Sequence, residues 1–141
     1  MPILQTGISA FSERVPKVLS PKTHAIADYI TVGGLVLTGA LLWKRNRKAA
    51  IGAFVCGGAQ AANTLLSDSP GGLTAAISLS RHEKIEMGLA ATVSSLPNFL
   101  RFSDEPEGRL FRYMGVGMTI VAAMSDFHPR PARLRHLRRI V

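Results

Sequence analysis

Long apolar runs alternate with short polar links along most of the chain. From Ala25 to Trp43 only Asp28 is charged at neutral pH, and Ala49 to Leu66 carries no charge. The first run is 19 residues long, which as a helix nearly bridges a hydrocarbon layer ~30 Å thick. A shorter run, Ile85 to Leu100, holds Glu86, and Pro97 near its far end is expected to kink or stop a helix. The last, Leu110 to Phe127, has Arg112 near its start, where the side chain can snorkel. The pattern predicts an all-α chain, an integral membrane four-helix bundle with short connections.

The four helices are two copies of one unit. Sliding the chain by 58 positions (82 − 24) sets His24 on His82, Asp28 on Glu86, Gly57 on Gly115 and Ser67-Asp68 on Ser125-Asp126, without a gap. Residues 20–68 form the first two-helix repeat and 78–127 the second, with 69–77 as the link between them. Ser69-Pro70-Gly71-Gly72 marks the link as a turn region, and Leu73 to Leu79 admits a short surface helix. Ser20-Pro21 opens the first helix, since serine caps exposed N–H groups and proline suits the first helical turn. In the second run Ala49, Ala53, Gly57 and Ala61 recur every four residues, which lets another helix approach closely. Gln60 and Asn63 are polar at the same depth and are expected to hydrogen-bond between helices.

Two flanks lie outside the repeats. Residues 1–19 place Leu4, Ile8, Phe11 and Val15 at helical spacing, with Glu13, Arg14 and Lys17 off that stripe and Pro16 breaking it. Residues 128–141 place Leu134, Leu137 and Ile140 on one face and Arg133, Arg135, Arg138 and Arg139 around the other. Both suit amphipathic segments lying in a membrane interface. His128 and His136 fall in this tail, where solvation is the expectation.

The net charge of +8 sits in the flanks and links. It suits anionic lipid headgroups, and no aromatic-studded motif accompanies it to suggest nucleic acid. Trp43 followed by Lys44-Arg45-Asn46-Arg47-Lys48 is an interface residue followed by a basic loop. The links after helices one and three hold seven of the seventeen Lys and Arg, and the opposite side holds ten, which leans toward cytoplasmic termini in a bacterial inner membrane. The dense Lys44–Lys48 loop pulls the other way. Cys56 is the single cysteine, so no intrachain disulfide can form; mid-run among Gly and Ala, it is expected to be a buried, inert thiol.

The candidate chemistry lies at one end of the bundle. Antiparallel helices bring the starts of helices one and three to the side where helices two and four end. His24, Asp28, Ser67, Asp68, His82, Glu86, Ser125 and Asp126 therefore share one face at similar depth. His24 and Asp28, like His82 and Glu86, are one turn apart on one helix face. These groups can tie four helix ends together as a clasp. They can also supply metal ligands, with His24, Asp28, Asp68, His82, Glu86 and Asp126 as candidates for zinc, iron or manganese. Haem between His24 and His82, or a proton relay through the acids, is the further possibility. No nucleophile–base pair or phosphate-binding loop marks a catalytic site.

Ser20-Pro21-Lys22-Thr23-His24-Ala25-Ile26-Ala27-Asp28-Tyr29 resembles the opening of small bacterial membrane proteins with a duplicated two-helix unit, the SPW-repeat proteins. The matching positions are His24, Asp28, Tyr29, Ser67-Asp68, His82, Glu86 and Ser125-Asp126, across residues 20–127. The Ser-Pro-Trp tripeptide itself is absent; Leu96-Pro97-Asn98 is the nearest stretch. The resemblance implies the four-helix architecture and no activity.

The resulting expectation is a non-enzymatic structural or accessory subunit packed against a larger membrane complex or its own copies. The alternatives are a metal- or haem-binding membrane redox protein or enzyme, and an oligomeric proton-coupled transporter.

Overall fold

A computed structural model describes residues 14–127. Both expected amphipathic flanks, His128 and His136 included, lie outside the described residues, apart from the last few residues before Ser20. The chain forms four helices: α1 Pro21–Leu42, α2 Arg47–Leu65, α3 Leu79–Phe99 and α4 Pro106–Met124. They pack in pairs, α1 on α2 and α3 on α4, and the pairs meet mainly through α2 and α3.

The duplication is visible in the caps. Ser20 Oγ accepts from the Thr23 N–H at 3.2 Å, and Ser78 Oγ from the Arg81 N–H at 3.3 Å, each satisfying an orphan donor at a helix start. It is visible again where the chain leaves the helices. Leu19 bridges to Ser125 and Ile77 to Ser67, both in parallel. The Asp126 N–H donates to Leu19 O at 2.9 Å and the Asp68 N–H to Ile77 O at 2.8 Å. Each strand-like lead-in thus pairs with the last turn of the other repeat, related by the same shift of 58 (77 − 19 and 125 − 67). The fold is a pseudo-two-fold clasp at this end.

The core is built from small residues on α2 and larger ones opposite. Ala49, Ala50, Ala53 and Cys56 are buried with Leu35, Ala90, Val93, Phe102, Phe111 and Met118. Gly57 and Gly115 sit at the two intra-pair crossings. A Cβ on Gly57 would stand 3.2 Å from Leu35 Cβ, and one on Gly115 would stand 2.7 Å from Ala90 O. The small-residue spacing on α2 therefore does what the sequence predicts.

The far end is held by side chains from both loops. Arg45 Nε pairs with the buried Glu107 at 2.9 Å, and Asn46 Nδ2 donates to Glu105 at 2.6 Å. Arg112 donates to the Ser103 carbonyl and hydroxyl at 3.2 and 2.6 Å.

One local expectation, for the link, changes. Leu73–Ile77 forms no helix, because Leu73, Thr74 and Ile77 donate back to the end of α2 and draw the link against it. The third helix starts at Leu79, six residues before its apolar run, since the Ser78 cap sets its start. It ends just past Pro97 in a Schellman turn, in which the Phe102 N–H donates to Pro97 O at 2.9 Å and Arg101 takes φ 56°. Among the described residues, one helix, α1, is long and apolar enough to cross a membrane by length and composition.

Candidate metal centre

Four charged or titratable side chains converge between the helix starts. His24, Asp28, His82 and Glu86 are all buried, and one ligand atom from each lies within 4.8 Å of the others. His24 Nε2 stands 3.3 Å from His82 Nε2, 3.3 Å from Asp28 Oδ1 and 3.1 Å from Glu86 Oε2. His82 Nε2 stands 3.2 Å from Asp28 Oδ2 and 3.8 Å from Glu86 Oε2. Phe127 packs against both imidazoles, with ring centroids 4.7 and 6.0 Å away, and is itself buried.

The duplicated serines set the proton positions. Ser125 Oγ donates to Val121 O at 2.6 Å, and Ser67 Oγ donates to Asn63 O. A hydroxyl has one proton to give, so each serine must accept from its histidine. His24 Nδ1–H donates to Ser125 Oγ at 2.6 Å and His82 Nδ1–H to Ser67 Oγ at 2.8 Å. Neutral imidazoles held this way point bare Nε2 lone pairs at each other and at the carboxylates. Glu86 Oε2 correspondingly has no hydrogen-bond donor.

With both imidazoles neutral and both acids ionised, four acceptor atoms would face one another. Two carboxylates and two neutral imidazoles carry a charge of about −2, which a buried site does not tolerate alone. Protonating both imidazoles restores neutrality but sets two cationic nitrogens 3.3 Å apart, a repulsion of about 5 kcal/mol at an effective dielectric of ~20. Neutrality without that repulsion is reached either with one proton on an imidazole and one on Glu86 or with one divalent cation. Metal–ligand bonds of about 2.0–2.1 Å give a tetrahedral edge of roughly 3.3 Å. The His24–His82 and His24–Glu86 separations of 3.3 and 3.1 Å match that edge, whereas Asp28 faces the two imidazoles with different oxygens and the four-atom set as a whole is looser, within 4.8 Å.

Haem does not fit the same nitrogens. The oxygens of Asp28 and Glu86 stand 3.3 and 3.1 Å from His24 Nε2, in the space a porphyrin would fill.

Asp28 is held from α2. Gln60 Nε2 donates to its Oδ1 and Thr64 Oγ1 to its Oδ2, both at 3.2 Å. Asn63 Nδ2 donates to the His82 carbonyl at 3.3 Å. Gln60 and Asn63 thus act between helices as the sequence predicts. Thr64 was not singled out; its signal is its place one turn after Gln60 on the same face.

The two remaining acids stay out of this group. Asp68 is exposed and Asp126 half-buried, because their backbones turn outward to pair with Ile77 and Leu19. The serines preceding them occupy the inward positions instead. Comparison with protein-family models, with curated proteins and with solved structures gave no match.

Proposed function

We propose that the protein is a membrane-embedded four-helix bundle that binds one divalent transition-metal ion through His24, Asp28, His82 and Glu86. The carrying observation is the buried convergence of four potential ligand atoms, with each imidazole's Nδ1 engaged by a serine and its Nε2 turned toward the group. A metal there would join the two repeats through one ligand-bearing helix of each. The second shell is of the kind metal sites use, since each imidazole donates its other N–H and Asp28 is itself hydrogen-bonded.

Membrane embedding is supported by the outer faces. Ile26, Ile30 and Leu41 on α1, Val55 on α2 and Tyr113 and Val116 on α4 are large, apolar and exposed. The 22 residues of α1 span about 33 Å. The SPW-repeat-like resemblance agrees with this placement.

Elemental analysis of untagged protein purified from its native membrane tests the proposal. One transition-metal ion per chain is expected, and none in the His24→Ala/His82→Ala double variant. A metal-free wild type, or equal metal in both, refutes it.

A second role, as an accessory subunit docked on a larger membrane complex, is supported by the outward glycines. Gly33, Gly34, Gly58, Gly88 and Gly117 have open space where a Cβ would stand. Mid-helix glycine costs about 1 kcal/mol relative to alanine, and no contact among the described residues offsets it. Mass spectrometry of proteins co-purifying in stoichiometric amount tests this role, and a lone monomer in mild detergent speaks against it.

A further inference from the structure

The pseudo-two-fold arrangement is broken at the carboxylates. Asp28 and Glu86 are equivalent under the 58-residue shift, but their supports are not. The positions matching Gln60 and Thr64 are Met118 (60 + 58) and Ala122 (64 + 58). Two hydrogen-bond donors in the first repeat are thus a thioether and a methyl group in the second. Both Asp28 oxygens accept from α2, whereas α4 offers no donor to the buried Glu86 Oε2, which lies 3.1 Å from His24 Nε2. Glu86 also has one methylene more than Asp28, and hence one more free torsion. Met118 and Ala122 are buried, so water does not supply the missing donors from that side.

We infer that the metal is held by a fixed His24–His82–Asp28 face and that Glu86 is its exchangeable ligand. Its carboxylate swings away to admit one small oxygen- or nitrogen-donor anion at the fourth position. This inference rests on the metal reading given above. Three fixed protein ligands and one replaceable position are the pattern of reactive rather than purely structural metal sites. No bond is made or broken beyond ligand exchange, in which the incoming anion takes the coordination position that the Glu86 oxygen leaves.

Cobalt(II) is the probe, because its visible absorption reports coordination, and azide is the incoming anion. The full chain is loaded with cobalt in detergent and titrated with azide. The wild type is expected to bind one cobalt and to change spectrum on adding azide. Glu86→Gln is expected to keep cobalt within about 10-fold of wild-type affinity, whereas Gln60→Met/Thr64→Ala loses about 10–100-fold, as second-shell changes do. Asp28→Asn loses at least as much.

Met118→Gln/Ala122→Thr gives the second repeat the donors of the first. It is expected to retain cobalt and lose the azide response, a change that misfolding does not mimic. An azide-silent wild type, or a Glu86→Gln variant that loses cobalt as fully as Asp28→Asn, overturns exchangeability while leaving the metal site standing. A wild type that takes up no cobalt overturns the metal site and this inference with it.

Discussion

Replacing Ser125 by alanine removes one hydroxyl and separates a metal centre from a metal-free clasp. In the native arrangement that hydroxyl accepts from His24 Nδ1–H at 2.6 Å and donates to Val121 O at 2.6 Å. Without it, the buried Nδ1–H has lost its acceptor, at a cost of about 1–3 kcal/mol. The imidazole escapes that cost by moving its proton to Nε2, where Asp28 Oδ1 and Glu86 Oε2 lie 3.3 and 3.1 Å away. That tautomer suits the metal-free chain and blocks the lone pair that would hold a metal. Affinity should therefore fall about 10–100-fold, equivalent to roughly 1.4–2.7 kcal/mol. Ser67→Ala should do the same through His82, whose Nδ1–H donates to Ser67 at 2.8 Å. Because the two imidazoles touch, the double variant should lose less than the product of the single losses. The assay is competition for zinc against a chromophoric chelator, with thermal unfolding followed with and without the metal. Affinities within threefold of wild type for both single variants refute the tautomer assignment. Equal loss of melting temperature with and without zinc points to a clasp that needs no metal.

Other consequences are simpler to read. Gly115→Ala should destabilise the chain by about 1–3 kcal/mol, since its Cβ meets Ala90 O at 2.7 Å and Ser94 N at 2.8 Å. Gly117→Ala, with open space at that point, should be neutral or stabilising by up to about 1 kcal/mol; denaturant titration in detergent compares the two. Arg101→Gly should stabilise by about 1 kcal/mol, because φ 56° strains any side chain with a Cβ, and a lower melting temperature would contradict this. Chelation should lower the melting temperature of the metal-loaded wild type, since saturating at 100 times Kd contributes about 2.7 kcal/mol, and should leave His24→Ala/His82→Ala unmoved.

The Arg45–Glu107 pair shows how the far end is fastened independently of the histidine cluster. Glu107 is buried while Arg45 is 68% exposed, so solvent screens the pair and its net contribution is small. Removing Arg45 alone still leaves a buried carboxylate poorly compensated. The loops at that end differ between the repeats in sequence and in length, residues 43–46 joining the first pair and 100–105 the second. The shared chemistry of the duplication is confined to the end that carries the histidines.

Much of this protein was set by residue order alone. The recurrence of His, acid and Ser-Asp at a constant spacing predicts a doubled helical hairpin, and antiparallel packing then gathers those groups at one end. Apolar runs bounded by serine caps predict where α1 starts, and small residues every fourth position predict which face of α2 is approached closely. Only the tertiary structure chose among the gathered groups. Asp68 and Asp126 are as near in sequence to Ser67 and Ser125 as residues can be, yet the backbone pairs with Ile77 and Leu19 and turns their side chains away from the cluster. The serines, one residue earlier, then point at the imidazoles and fix which nitrogen carries the proton. Likewise the repeat predicts equivalence of Asp28 and Glu86, whereas α2 donates to both oxygens of the first and α4 offers no donor to the second's buried Oε2. Spacing along a chain sets which groups share an end of a bundle. Hydrogen-bond direction and depth, which decide what those groups can bind, are properties of the packed helices.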